Sequence, residues 1–106
     1  MGRMENLTIS ERVLEVIDSL EPGDTLEEKV IRLAENALRR RLARYQLADR
    51  QFRSKYSMTL EEFEASDMVR RGNYAFDVES DHQDWDLAVD GIRSIERQLQ
   101  ALQAGS

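Results

Sequence analysis

The sequence predicts a mainly α-helical fold, and three observations carry that reading. Apolar residues recur at spacings of three and four along most of the chain, three Thr-x-x-Glu motifs stand where helices would open, and the only proline, Pro22, falls in a turn. The expected architecture is a long central helix followed by a coiled-coil-like C-terminal helix, with a short N-terminal strand as a further element and a dimer as the assembled form. Residues 1–56 and 57–106 are expected to behave as an N-terminal and a C-terminal segment of one continuous domain, since 106 residues suffice for one modest core.

The first helix is predicted from about Ile9 to Leu20, where Val13, Val16, Ile17 and Leu20 share one face. Pro22 and Gly23 close it, because the residue before a proline is pushed away from helical geometry. Thr25 and Glu28 open the second helix as a capping box. No proline or glycine follows until beyond Tyr56, and an apolar stripe runs from Leu26 and Val30 through Leu38, Leu42 and Tyr45 to Phe52 and Tyr56. At 1.5 Å per residue such a helix would span about 48 Å, which calls for another element or another subunit along it. Thr59 with Glu62 opens a short third helix, and Met58 and Phe63 stand at the two positions of a hydrophobic staple. Residues 67–80 read as irregular, with Tyr74, Phe76 and Val78 alternating as in an extended segment or a loop over the core. The last helix is predicted from about Asp81 to Leu102, with a seam at Trp85, Ala88, Ile92, Ile95, Leu99 and Leu102. Gly91 interrupts that seam and marks either a weak point or a close approach of another group. Two seams of this length point to an oligomer held by Ile92, Ile95 and Leu99 together with the second helix.

Hydrophobic residues make up 41% and charged residues 34% of the chain, too apolar for a disordered protein. The net charge of −6 is uneven: two basic and six acidic groups over residues 1–24, nine and four over 25–56, four and eleven over 57–106, or −4, +5 and −7. The basic middle and the acidic tail are expected to pair with each other, with a nucleic-acid surface beside an acidic protein-binding arm as the alternative. Arg39, Arg40, Arg41 and Arg44 are the densest part of the basic segment. Three consecutive arginines fan over roughly 200° of a helix, so some of them are expected to pair with nearby acids.

Catalytic chemistry has little to build on. The chain lacks cysteine, which excludes disulfides, thiolate zinc sites and a cysteine nucleophile and fits the cytoplasm. Charges at Arg3, Glu5, Glu11, Arg12, Glu15 and Asp18 break up the N-terminal stretch, so neither a signal peptide nor a membrane span is expected there. His82 is the sole histidine and lies among aspartates at a predicted helix start, where a polar residue is ordinary. Asp77, Glu79, Asp81, Asp84 and Asp86 suggest a cation loop, but an EF-hand beginning at Asp77 would put His82 at the glycine position and Ala88 at the bidentate glutamate. No enzyme, metal or cofactor is therefore expected.

Asn6, Thr8 and Ser10 alternate with Leu7 and Ile9 ahead of a helix, a Pro-Gly turn and a capped second helix. Over residues 6–42 this pattern resembles a ribbon-helix-helix domain. The resemblance implies a paired strand whose Asn6, Thr8 and Ser10 read operator DNA in the major groove, in a homodimer. The same residues also admit a helix start, since Thr8 and Glu11 form a capping box, and Asp24 would repel a phosphate at the second helix. From Phe52 through Phe-Arg-Ser-Lys-Tyr-Ser-Met-Thr-Leu-Glu-Glu-Phe to Trp85, the layout resembles small prokaryotic antitoxins of toxin–antitoxin pairs. That resemblance implies neutralisation of a basic, RNase-like toxin by an acidic arm carrying Tyr74, Phe76, Asp77, Glu79, Asp81 and Trp85. A structural or adaptor protein that only mediates helical oligomerisation is the alternative.

Overall fold

A computed structural model describes residues 9–67 and 75–104. The chain divides into two compact units, Met1–Asn36 and Ala37–Ser106. The division falls inside a helix and not at the reversal after Tyr56, because the two ends of that helix pack on different neighbours. The described residues are mainly helical and contain no strand, and none of their helices is long and apolar enough to cross a membrane.

In the first unit, α1 spans Glu11–Leu20. Its cap is Ser10, in extended geometry, whose Oγ accepts the Val13 N–H at 3.3 Å. The helix thus opens at Glu11, later than a Thr8 cap would place it, and Thr8 itself lies outside the described residues. Glu21, ahead of Pro22, has left helical geometry at φ −142° while its N–H still reaches the Ile17 carbonyl at 3.0 Å. The second helix, α2, spans Leu26–Tyr56 and starts on Thr25, whose Oγ1 accepts the Glu28 N–H at 3.1 Å. The Glu28 carboxylate accepts from Asp24 N–H, one residue before the position a reciprocal box would use. Lys29 bridges to Asp18, and Arg32 donates to the Pro22 carbonyl at 3.0 Å, so polar contacts tie α1 to the start of α2.

The second unit is built on the remainder of α2, a short helix α3 at Leu60–Ala65 and a long helix α4 at Phe76–Ala104. Ser57, at φ 56°, turns the chain out of α2. A left-handed non-glycine residue is uncommon, and a helix C-terminus is where it is most readily accommodated. The capping box of α3 is complete: Thr59 Oγ1 accepts the Glu62 N–H at 3.1 Å and Glu62 Oε1 accepts the Thr59 N–H at 2.8 Å. Hydrogen bonding to the carboxylate from the Thr59 backbone N–H, and then from the Thr59 side chain, holds the Glu62 carboxyl below its ordinary range. Met58 packs against the buried cluster that contains Phe63, the neighbourhood a staple requires.

Helix α4 begins at Phe76, five residues before the predicted start, so Phe76 and Val78 are helical and the alternation read there is not a strand. Asp77 and Glu79 favour its first turn through the helix dipole, and Val78 joins the core one heptad before Trp85. Helices α2 and α4 meet antiparallel, with Tyr56 at Asp81, Phe52 at Trp85 and Tyr45 at Gly91. Continuing that register brings Leu42 and Leu38 opposite Ile95 and Leu99. Trp85 is fully buried and is stacked by Phe52 and Tyr56, with ring centroids 5.6 and 5.9 Å away, while Phe63 tilts against it at 5.3 Å. Its Nε1 donates to Asp49 at 2.8 Å, which satisfies the indole inside an otherwise apolar site. Burying the Phe63 ring beside it contributes roughly 1.5–3 kcal/mol.

Candidate interaction surfaces

The seam residues expected to hold an oligomer are largely covered within one chain. Ile95 and Leu99 are buried and Ile92 is half-buried, because α4 has α2 along its length. The uncovered apolar surface lies elsewhere. In the first unit neither α1 nor the start of α2 contributes a single buried residue, although α1 is amphipathic. Val16 is 54% and Leu20 63% exposed, with Val13, Leu26 and Val30 also open to solvent. A groove of about 480 Å³ runs beside them, lined by Ile9, Leu14, Leu26, Val30 and Ile31. The periodicity of Val13, Val16 and Leu20 was the available signal, but periodicity identifies an apolar face and not what covers it.

The residues predicted to form the partner arm do not share one surface. Phe76 is 85% exposed and Asp77 is exposed beside it in the first turn of α4. Glu79 is half-buried. Asp81 is occupied: it accepts from Lys55 Nζ and, at 2.6 Å, from the Tyr56 hydroxyl, which ties α4 to the end of α2. Burial alone would raise the Asp81 carboxyl, but these two hydrogen bonds outweigh it and hold the group below the usual carboxylate range. Trp85 is in the core and offers no surface to a partner; an indole in line with a helix seam fills the interior first. Tyr74 lies outside the described residues, as do Asn6 and Thr8. Ser10, the third predicted base reader, uses its hydroxyl to cap α1.

His82 pairs with Glu64 at 2.8 Å and lies against the Phe63 ring, a structural contact between α3 and α4. A cleft of about 410 Å³ near α3 is lined by Leu60, Val89 and Ile92 with charged groups around them, among which Asp49 pairs with Arg53 and Glu61 with Arg93. No cluster of carboxylates and imidazoles suited to a metal ion occurs among the described residues. The expected pairing of the arginine cluster with acidic groups is incomplete. Arg39 has a partner, whereas Arg40, Arg41 and Arg44 are exposed and form no ion pair or hydrogen bond among the described residues. No protein-family model, curated protein or solved structure matches the chain.

Proposed function

We propose that this chain is a non-enzymatic, antitoxin-like binding protein that works as a homodimer, neutralises a basic protein toxin and contacts its own operator DNA through the stretch containing Asn6 and Thr8. The observation that carries the reading is the uncovered apolar face of the first unit. A pair of helices without one buried side chain gains too little from burial to be held by its own contacts, so Val13, Val16, Leu20, Leu26 and Val30 await another chain. The toxin-binding role is supported by Phe76, an exposed aromatic next to Asp77 and Glu79: an apolar anchor among charges that steer a basic partner.

Two measurements test this. Light scattering over the micromolar range is expected to give a dimer, and Val16→Asp with Leu20→Asp a monomer whose α4 core still folds; a wild-type chain that stays monomeric removes the dimer. In co-expression with the product of the adjacent gene, Phe76→Ala with Asp77→Lys is expected to abolish rescue of growth. If the adjacent gene product is harmless, or if rescue survives the double substitution, the antitoxin role at this site fails. A dimer without rescue supports an adaptor instead.

A further inference from the structure

We infer that Arg40, Arg41 and Arg44 form a docking face for the phosphate backbone of duplex nucleic acid. The inference extends the nucleic-acid part of the proposed function and does not need the N-terminal residues to read bases. With Arg39 engaged elsewhere, the remaining three guanidinium groups lie within an arc of about 100° on α2, a single face and not a fan. Each is exposed and without a protein partner among the described residues, in a chain that carries 21 acidic against 15 basic side chains. The nearest acids along α2, Glu35 and Asp49, are five positions outside the trio on either side. Like charges at spacings of three and four repel, so the cluster is unfavourable in isolation and is relieved by a multivalent anion. Arg40 and Arg44 are separated by about 6 Å along the axis, close to two nucleotide steps of one strand, so neighbouring phosphates fall within reach of the row. A protein partner would be expected to meet an apolar centre of large side chains, yet within one turn of the trio the same arc offers only the two small residues Ala37 and Ala48 and, at its edge, Leu47. Polyanion chemistry fits this surface better.

The test is a salt titration of binding to a random-sequence duplex, comparing the full chain with the triple variant Arg40→Gln, Arg41→Gln, Arg44→Gln. Each phosphate contact contributes about 0.9 to the slope of log K against log salt, so the triple variant is expected to lose up to about 2.7 of that slope, and Arg41→Gln alone about 0.9. Replacing the three with lysine should preserve most of the binding, since a point charge suffices for phosphate. Thermal unfolding of the lysine variant should match the parent and that of the glutamine variants should be equal or slightly higher, because like-charge repulsion is relieved and no hydrogen bond or ion pair among the described residues is removed. An unchanged slope and affinity in the triple variant overturns the inference even if operator-specific binding through the N-terminal stretch persists. Absence of duplex binding by the parent chain at low salt overturns both. A triple variant that keeps its DNA slope but changes its oligomeric state assigns the face to a protein contact and also overturns the inference.

Discussion

Gly91 shows how one missing methyl group positions a helix pair. A β-carbon built there would lie 2.6–2.8 Å from three ring atoms of Tyr45, closer than carbon atoms approach, so the bare backbone is what lets the tyrosine ring lie against α4. Alanine would gain about 1 kcal/mol of helix propensity, but overpacking against a half-buried ring costs roughly 1–3 kcal/mol. Gly91→Ala is therefore expected to destabilise the chain by about 1 kcal/mol. In a Tyr45→Ala background the same change should stabilise it by a similar amount. Denaturant midpoints for the four proteins, followed by Trp85 fluorescence, give the coupling directly. If alanine stabilised both backgrounds, Tyr45 would not be resting on that backbone.

Between elements, Asp81 is the polar tie of α2 to α4, and its chemistry predicts how stability follows pH. Its carboxyl is depressed in the folded chain, so its contribution is complete above the unfolded value near 4 and is lost as pH falls through the folded one. Glu62 is depressed as well and adds to the same acid limb. Lys55 is raised by its hydrogen bond to Asp81, and Tyr56 by burial and then by that same carboxylate. Their contributions hold below the unfolded values near 10 and fade as pH rises through the folded ones. Asp81→Asn is expected to flatten part of the acid limb and the Lys55 part of the alkaline one in urea midpoints measured across pH, leaving the part that Tyr56 owes to burial. A uniform downward shift at every pH would mean that Asp81 acts through packing and not through charge.

Across the whole molecule, burial is concentrated in one of the two units. Leu60, Phe63, Trp85, Ala88, Ile95 and Leu99 all belong to the second unit, and no residue of α1 is buried. Local opening follows burial, so the amides of Leu14 to Leu20 should exchange far faster than those around Trp85 in dilute protein. Dimerisation through the first unit would slow exchange in α1 as concentration rises and leave α4 unchanged. Hydrogen exchange read at two concentrations checks this, and α1 protection that ignores concentration would show that α1 needs no second chain.

The sequence by itself determined what depends on neighbours three or four residues apart. The Thr59–Glu62 box, the Thr25 start of α2 and the stop before Pro22 are local hydrogen-bond and steric events, legible without the rest of the chain. Helix content was legible for the same reason, through the spacing of Leu38, Leu42, Ile95 and Leu99. Tertiary structure alone decided what those faces meet. Trp85 finds Asp49 and Asp81 finds Tyr56 across 36 and 25 residues, contacts with no local signature. The early start of α4 went unread because Tyr74, Phe76 and Val78 satisfy an alternating pattern as well as a helical one, and only Val78 packing into the core chooses between them. The covered seam at Ile95 and Leu99, the bare face at Val16 and Leu20 and the arginines at 40, 41 and 44, unpaired among the described residues, have one origin. An apolar or charged stripe is written in the chain, but whether it is satisfied depends on how far two helices run alongside each other, and that length is a property of the fold.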